Sequence, residues 1–235
     1  VKRVISGLSS MATRPLLAEL SQQIRLVHGF PVLFEAAGGV DIARRVREGA
    51  EADLLVLADG ALTALEEEGY LLAGTARPLW TSQVVAAVPA GSPVPVLDSD
   101  CDLRAVLRSA KKIAYSTGPS GTALLDLIGR LGLADALAGR LVQAPPGVPV
   151  GSLLSSGQAD LAFQQHSELM DLPGVVIAGP LPGDTAISST FGGGVLASAS
   201  QPGLALEVLD FFGSDTGSEA ARARGMRASG ERDSA

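Results

Sequence analysis

Short apolar runs alternate with longer amphipathic segments along most of this chain, and that alternation limits the fold more than any other feature. Residues 2–6, 31–36 and 53–58 read as strands. The segments between and after them, 10–27, 39–48 and 61–70, read as helices. Strands buried on both faces appear as continuous Val/Leu/Ile runs, and repeated strand–helix units imply a parallel sheet covered by helices. A further strand at 83–88 leads into a Pro/Gly-rich stretch, 89–95, that breaks the pattern. The alternation then restarts, with helices expected at 103–109, 121–131, 150–156 and 167–171 and strands at 112–116, 140–143, 160–163 and 174–178. A run from 186 to 198 is interrupted by Gly192-Gly193-Gly194, and helices at 203–212 and 216–225 close the chain. The small, polar tail 228–235 is expected to fray.

This pattern predicts an α/β fold of two lobes, residues 1–82 with 190–235 and residues 83–189. The chain would cross between them twice, near 82 and 190, leaving a hinge and a cleft. With 235 residues, 46% hydrophobic and 18% charged, the chain is neither disordered nor supplied with an uninterrupted apolar run of about 18 residues, so membrane insertion is not expected. A single cysteine, Cys101, and two distant histidines, His28 and His166, offer no thiolate zinc site and no His-rich centre. No metal or cofactor is therefore expected. The net charge is −7, and no basic cluster exceeds Arg44-Arg45 or Lys111-Lys112, so nucleic acid is not an expected partner. Strand-like sequence begins almost at residue 1. Two readings of the start stay open: a periplasmic chain whose export signal has been removed, or a cytoplasmic one with Val1 close to its native start.

In open parallel sheets, ligands bind beyond the carboxyl ends of the strands. Four junctions there share a Gly/Ser/Thr/Pro composition: Gly7-Leu8-Ser9-Ser10, Ala37-Gly38-Gly39-Val40-Asp41, Ser116-Thr117-Gly118-Pro119-Ser120-Gly121-Thr122 and Pro145-Pro146-Gly147-Val148-Pro149. Glycine lets a backbone approach a ligand, hydroxyls donate hydrogen bonds, and helix N-termini carry free N–H groups with partial positive charge. Converging on a cleft, they can hold an anion; taken singly, each reads equally as an ordinary cap or turn. The candidate ligand residues are Ser9, Ser10, Arg14, Gly38, Gly39, Ser116, Thr117, Ser120, Gly121, Gln164 and Gln165. Arg14, one turn into the first helix, offers a guanidinium fork for a carboxylate. Gln164-Gln165 follow the 160–163 strand and can donate and accept. His166 is an acid/base candidate, and Glu168 reads as a first-turn residue complementing its helix dipole. Known catalytic signatures fail: there is no G-x-S-x-G elbow, no P-loop lysine, and no G-x-G-x-x-G in the glycine run. Glu66-Glu67-Glu68 reads as a solvated helix face.

The order of these motifs, from Val4 to about Met226, resembles the type II periplasmic-binding-protein fold, in particular molybdate-binding-protein-like chains. The correspondence runs through Gly7-Leu8-Ser9-Ser10-Met11 after the first strand, Gly38-Gly39 after the second, and a hinge-strand region at Ser82-Gln83-Val84-Val85-Ala86-Ala87-Val88-Pro89. The resemblance implies an anion held between lobes by hydroxyls and backbone N–H groups, and a permease of an ABC transporter as partner if the chain is exported. The chain departs from the molybdate pattern in carrying Ala37-Gly38-Gly39 where a serine is usual and Gln164-Gln165 where a late tyrosine is usual. Three segments look closer to a subgroup that includes aconitate isomerase and chains labelled ketosteroid isomerases: 115–121, 143–151 and 163–169. Two functions follow from the resemblance. One is a solute-binding protein for a small anion, expected to be a carboxylate. The other is an isomerase shifting an allylic proton on such a ligand, with His166 and Arg14 as its candidates.

Overall fold

Leu54, Leu55, Val56 and Leu57 are all buried, although they alternate between the two faces of their strand. Leu54 and Val56 pack into one apolar cluster, and Leu55 and Leu57 into another. A strand of this composition is stable only inside a sheet covered on both sides. The computed structural model, which describes residues 4–230, supplies that cover.

Contacts divide the chain into two compact units: one ends at Ser82 and resumes at Ser189, and the other is Gln83–Ser188. The first begins with β1 (Ile5–Ser10), a single 3-10 turn (Met11–Thr13) and α1 (Arg14–His28). Leu16, Leu17, Leu20 and Ile24 of α1 are fully buried, the spacing of one helical face. The helix stops at Gly29, whose φ of +76° suits glycine. β2 (Val32–Ala37), α2 (Gly39–Arg47), β3 (Leu54–Ala58) and α3 (Asp59–Glu67) follow. β1 lies between β2 and β3, parallel to both, with Ser9 opposite Ala36 and Val56.

β4 (Arg77–Pro89) carries the chain into the second unit. There follow α4 (Asp100–Ser109), β5 (Ile113–Tyr115), α5 (Pro119–Arg130), α6 (Ala134–Leu137), β6 (Leu141–Gln143), α7 (Gly151–Ser155), β7 (Leu161–Gln165), α8 (His166–Leu169) and β8 (Val175–Pro180). β6, β5 and β7 are parallel, and β4 runs antiparallel between β7 and β8. The chain returns through β9 (Ser188–Val195), α9 (Pro202–Phe212), α10 (Asp215–Ala223) and β10 (Met226–Ala228). α9 and α10 bury Val208, Leu209, Phe212 and Ala221 in the same cluster as α1.

Asp53 fixes this first unit at the entrance to β3. Its buried carboxylate accepts hydrogen bonds from the Ser6 N–H (2.9 Å) and Oγ (3.0 Å), the Ser200 N–H and Oγ (both 2.9 Å), and the Gln201 N–H (3.3 Å). One side chain thus ties β1, β3 and the start of α9 together.

Several elements differ from the sequence reading. The first strand is not residues 2–6 but Ile5–Ser10, so Gly7-Leu8-Ser9-Ser10 form its last four residues instead of a loop. Small polar residues look like a turn, yet parallel pairing with β2 extends to Ser10. Residues 2 and 3 of that expected strand lie outside the described residues, as do 231–235 of the tail. Part of the tail pairs with β4, Ala228 opposite Trp80. β7 likewise continues through Gln164 and Gln165, held by Val85 and Val84 of β4. Gly192-Gly193-Gly194 do not interrupt β9; a Cβ on Gly192 would lie 2.8 Å from the Arg77 carbonyl oxygen, so this strand needs glycine to let its neighbours close in. The sheets are mixed, because β4, β8, β9 and β10 make antiparallel pairs.

Candidate functional site

In the first unit the carboxyl ends of β1, β2 and β3 lie side by side, because the three strands are parallel and in register. Ser9, Ser10 and Thr13 are buried there. Thr13 Oγ1 donates to the Ser10 carbonyl at 3.1 Å and lies 3.4 Å from Ser10 Oγ. Ser9 Oγ is fully buried and has no hydrogen-bond partner among the described residues. An unpaired buried hydroxyl costs about 1–3 kcal/mol, so a native chain has reason to keep one only where something else satisfies it. Gly39, at the adjoining start of α2, is close to Ser10: a Cβ there would lie 3.9 Å from Ser10 Cβ. Gly38 is exposed with open space around it. Arg14 is the first residue of α1, exposed, and makes no ion pair among the described residues. It sits just after the 3-10 turn, whose N-cap Ser10 makes no side-chain cap hydrogen bond.

In the second unit the same logic brings three junctions together. β5 is parallel to both β6 and β7, with Ala114 opposite Val142 and Ala162. Extending the β5–β7 register sets Ser116 level with Gln164. Ser116 Oγ and Ser120 Oγ are 3.0 Å apart. Thr117 is exposed. Gly121 has a packing reason to be glycine, since a Cβ would fall 1.9 Å from the Ser116 carbonyl oxygen. The backbone can fold Ser120 back over Ser116 only with no side chain at 121.

Gln164 is spoken for at both ends of its amide. Its Oε1 accepts from the Val150 N–H at 3.0 Å, and its Nε2 donates to Glu168 Oε2 at 2.6 Å. It thereby links the 145–149 junction to the end of β7 and holds Glu168 in place. Gln165 is buried beside it. Glu168 lies in the first turn of the following helix, as the sequence reading has it, but a role toward the helix dipole does not account for it. Its helix α8 spans only Leu169 back to His166, too short for a dipole to matter. The carboxyl is half-buried, and burial pushes it up to about 7, against which the Gln164 hydrogen bond acts in the lowering direction. Burial likewise pushes the His166 imidazole down, favouring its neutral form at pH 7. One sequence signal for Glu168 was available: it is the only acid between Asp160 and Asp171, in an otherwise uncharged run broken by His166.

The serines at these strand ends do not behave as caps. Ser99 accepts from the Asp102 N–H and caps α4, and Ser214 accepts from the Gly217 N–H and caps α10. Neither of those helices follows a parallel strand. By contrast the 3-10 turn after β1 and helices α2, α3, α5, α7 and α8, which do follow parallel strands, have no side-chain cap hydrogen bond. At each of these starts the N-cap residue's own side chain makes no cap hydrogen bond, the position at which a cap usually serves. Among the described residues no cluster of three or more His, Cys, Asp or Glu could hold a metal, and no helix is long and apolar enough to cross a membrane.

Two α/β units linked by two chain passages, with hydroxyls, amides and uncapped helix starts at the strand carboxyl ends, define the type II periplasmic-binding-protein class. The chain belongs to the bacterial extracellular solute-binding protein family, whose model matches residues 5–227. Among curated proteins it is similar to an aconitate isomerase from a Pseudomonas species, 27% identical over 187 residues, 79% of this chain and 71% of that protein. Among solved structures it is similar to the Azotobacter vinelandii periplasmic molybdate-binding protein (TM-score 0.80, 19% identity, 94% of this chain and 98% of that one). It is also similar to a sulfate-binding protein from Mycobacterium tuberculosis (TM-score 0.81, 17% identity, 97% and 87%). At these identities the structural likenesses establish the fold.

Proposed function

We propose that this chain is a solute-binding protein for a small carboxylate anion. The observation that carries the reading is the buried, unpartnered Ser9 hydroxyl at the carboxyl end of β1, beside a helix start with no side-chain cap. Within the first unit Ser10 and the Gly38-Gly39 turn supply further neutral donors and Arg14 supplies charge; within the second unit the Ser116–Ser120 pair with Thr117 and Gly121, and Gln165, offer neutral donors of the same kind. Gln164 acts through Glu168 and Val150. Neutral donors suit an oxyanion, and a guanidinium fork suits a planar carboxylate better than a tetrahedral oxyanion. The aconitate isomerase relative supports a carboxylate over molybdate or sulfate. If the chain is exported, a permease of an ABC transporter is the partner this family membership supports. The test is a thermal-shift panel of citrate, cis- and trans-aconitate, sulfate and molybdate. A ligand at 100 times its Kd adds about 2.7 kcal/mol, or roughly 5–10 °C for a chain of this length. A molybdate or sulfate shift larger than that of every carboxylate overturns the reading.

A second reading, an isomerase moving an allylic proton, is favoured by Glu168. A carboxyl whose pKa lies near 7 is suited to take a proton and return it. In such a step the carboxylate accepts a proton from the allylic carbon, the carboxyl so formed exchanges that proton with solvent, the double bond migrates, and the carboxyl delivers a proton at the other end of the three-carbon unit. No co-reactant is consumed. Deuterium incorporation into cis- or trans-aconitate in D2O, lost in Glu168→Gln, supports this reading; binding with no exchange removes it.

A further inference from the structure

The shell around Glu168 contains almost no charge. β7 beside it reads Leu-Ala-Phe-Gln-Gln, α7 reads Gly-Ser-Leu-Leu-Ser, and β8 reads Val-Val-Ile-Ala-Gly-Pro. The part of β4 that pairs with β7 and β8 is equally uncharged, from Gln83 to Pro89. Leu169, next in sequence, packs into the apolar cluster these elements form. On its own helix the other titratable group is His166, which burial keeps toward its neutral form. Among the described residues Glu168 makes no ion pair, and its one hydrogen bond is donated by Gln164, itself anchored on Val150.

This carboxyl stands at the same strand end as the Ser116–Ser120 hydroxyls and Gln165, where an anion is proposed to bind. An ionised Glu168 and an anionic ligand would then be two like charges, and the elements of this unit packed about Glu168 place no cation between them. We propose that Glu168 is the proton acceptor of the anion site, so that this chain captures its ligand together with one proton. The inference rests on the carboxylate-binding reading above. Its physical content is linkage: a group that must be protonated in the complex and is ionised in the free protein makes binding weaken as pH rises. With burial already holding the free carboxyl near 7, the coupling falls in the neutral range.

The experiment is calorimetric titration with trans-aconitate between pH 7 and 8.5, in two buffers of different ionisation enthalpy. The wild type should bind about tenfold more weakly for each pH unit above 7 and take up close to one proton at pH 8. Glu168→Gln keeps the shape and the hydrogen bond from Gln164 but cannot titrate. Its affinity should stay within about threefold across the same range, with no proton uptake. Binding by the wild type with no proton uptake overturns the inference and leaves the carboxylate reading standing. Uptake that persists in Glu168→Gln assigns the proton elsewhere and also overturns it. No binding of trans-aconitate at any pH, with molybdate or sulfate binding instead, overturns both. The two-buffer measurement on the wild type decides the matter even if the variant does not fold.

Discussion

Asp53 in the first unit and Glu168 in the second are both carboxyl groups withdrawn from water, and they are treated in opposite ways. Asp53 receives five hydrogen bonds, from Ser6, Ser200 and Gln201. Burial alone would raise its pKa, but those donors outweigh it and hold the carboxyl below its ordinary value. Glu168 receives one, from Gln164, and burial prevails. The first arrangement spends every lone pair on holding β1, β3 and α9 together and leaves nothing for a ligand. The second leaves one carboxylate oxygen without a donor, and the group without an ion pair, among the described residues. Donor count, more than burial, separates the acid whose pKa is lowered from the acid whose pKa is raised.

The comparison can be broken most directly at Asp53. Asp53→Ala strands its donors, so it should destabilise the protein by about 3–5 kcal/mol, read by urea denaturation. A loss below about 1 kcal/mol would mean the hydrogen bonds are not a structural node. The pH dependence has a defined sign. A depressed carboxyl stabilises above the ordinary carboxylate range, and that contribution is lost as pH falls through the folded value, below 3.8.

Glu168 should behave inversely. Its folded pKa is raised, so the folded protein binds more protons than the unfolded chain and loses stability as pH rises from 4.5 to about 7. Glu168→Gln should remove that slope. The unliganded variant should be more stable than wild type by about 1–2 kcal/mol at pH 8, after allowance for the partial exposure of the group, and equal to it near pH 4.5. Thermal melts at the two pH values check this; a variant less stable at pH 8 would make Glu168 a structural residue like Asp53.

A smaller contrast concerns serines. Ser99→Ala removes a working cap from α4 and should cost about 1 kcal/mol without changing ligand affinity. Ser120→Ala loses only a 3.0 Å contact with Ser116, so its stability cost should stay below about 1 kcal/mol while affinity falls. Chemical denaturation beside calorimetry separates the two; equal behaviour in both would mean the Ser116–Ser120 pair is ordinary turn chemistry.

Much of the architecture was legible because it rests on apolar periodicity. The Leu54–Ala58 run and the single-face spacing of Leu16, Leu20 and Ile24 leave few alternatives. The ends of β1 and β7 were not legible, because Ser9, Ser10, Gln164 and Gln165 are polar and are held in strands by partners distant in sequence. That error matters for the site. Four residues expected in strand-to-helix junctions lie instead in the strands themselves, paired with β2 or β4. Gln164 reads from sequence as a ligand donor; in the structure its amide accepts from the Val150 N–H and donates to Glu168. Glu168 was hidden by the assumption that an acid at a helix start serves the helix. The contrast between capping and non-capping serines has no sequence signature at all, since Ser99 and Ser120 each stand at the start of a helix.

The central claim is that the carboxyl end of β1 is kept for a carboxylate ligand, and Ser9 tests it most directly. Its hydroxyl has no partner among the described residues, so Ser9→Ala should leave the unliganded melting temperature unchanged or slightly raised. Loss of a hydrogen bond to a charged ligand is worth about 1.5–3 kcal/mol, or roughly tenfold or more in affinity. Calorimetric titration of wild type and Ser9→Ala with trans-aconitate at pH 7 is predicted to show that loss alongside intact stability. Equal affinities, or a variant that loses stability while binding as before, would contradict the account.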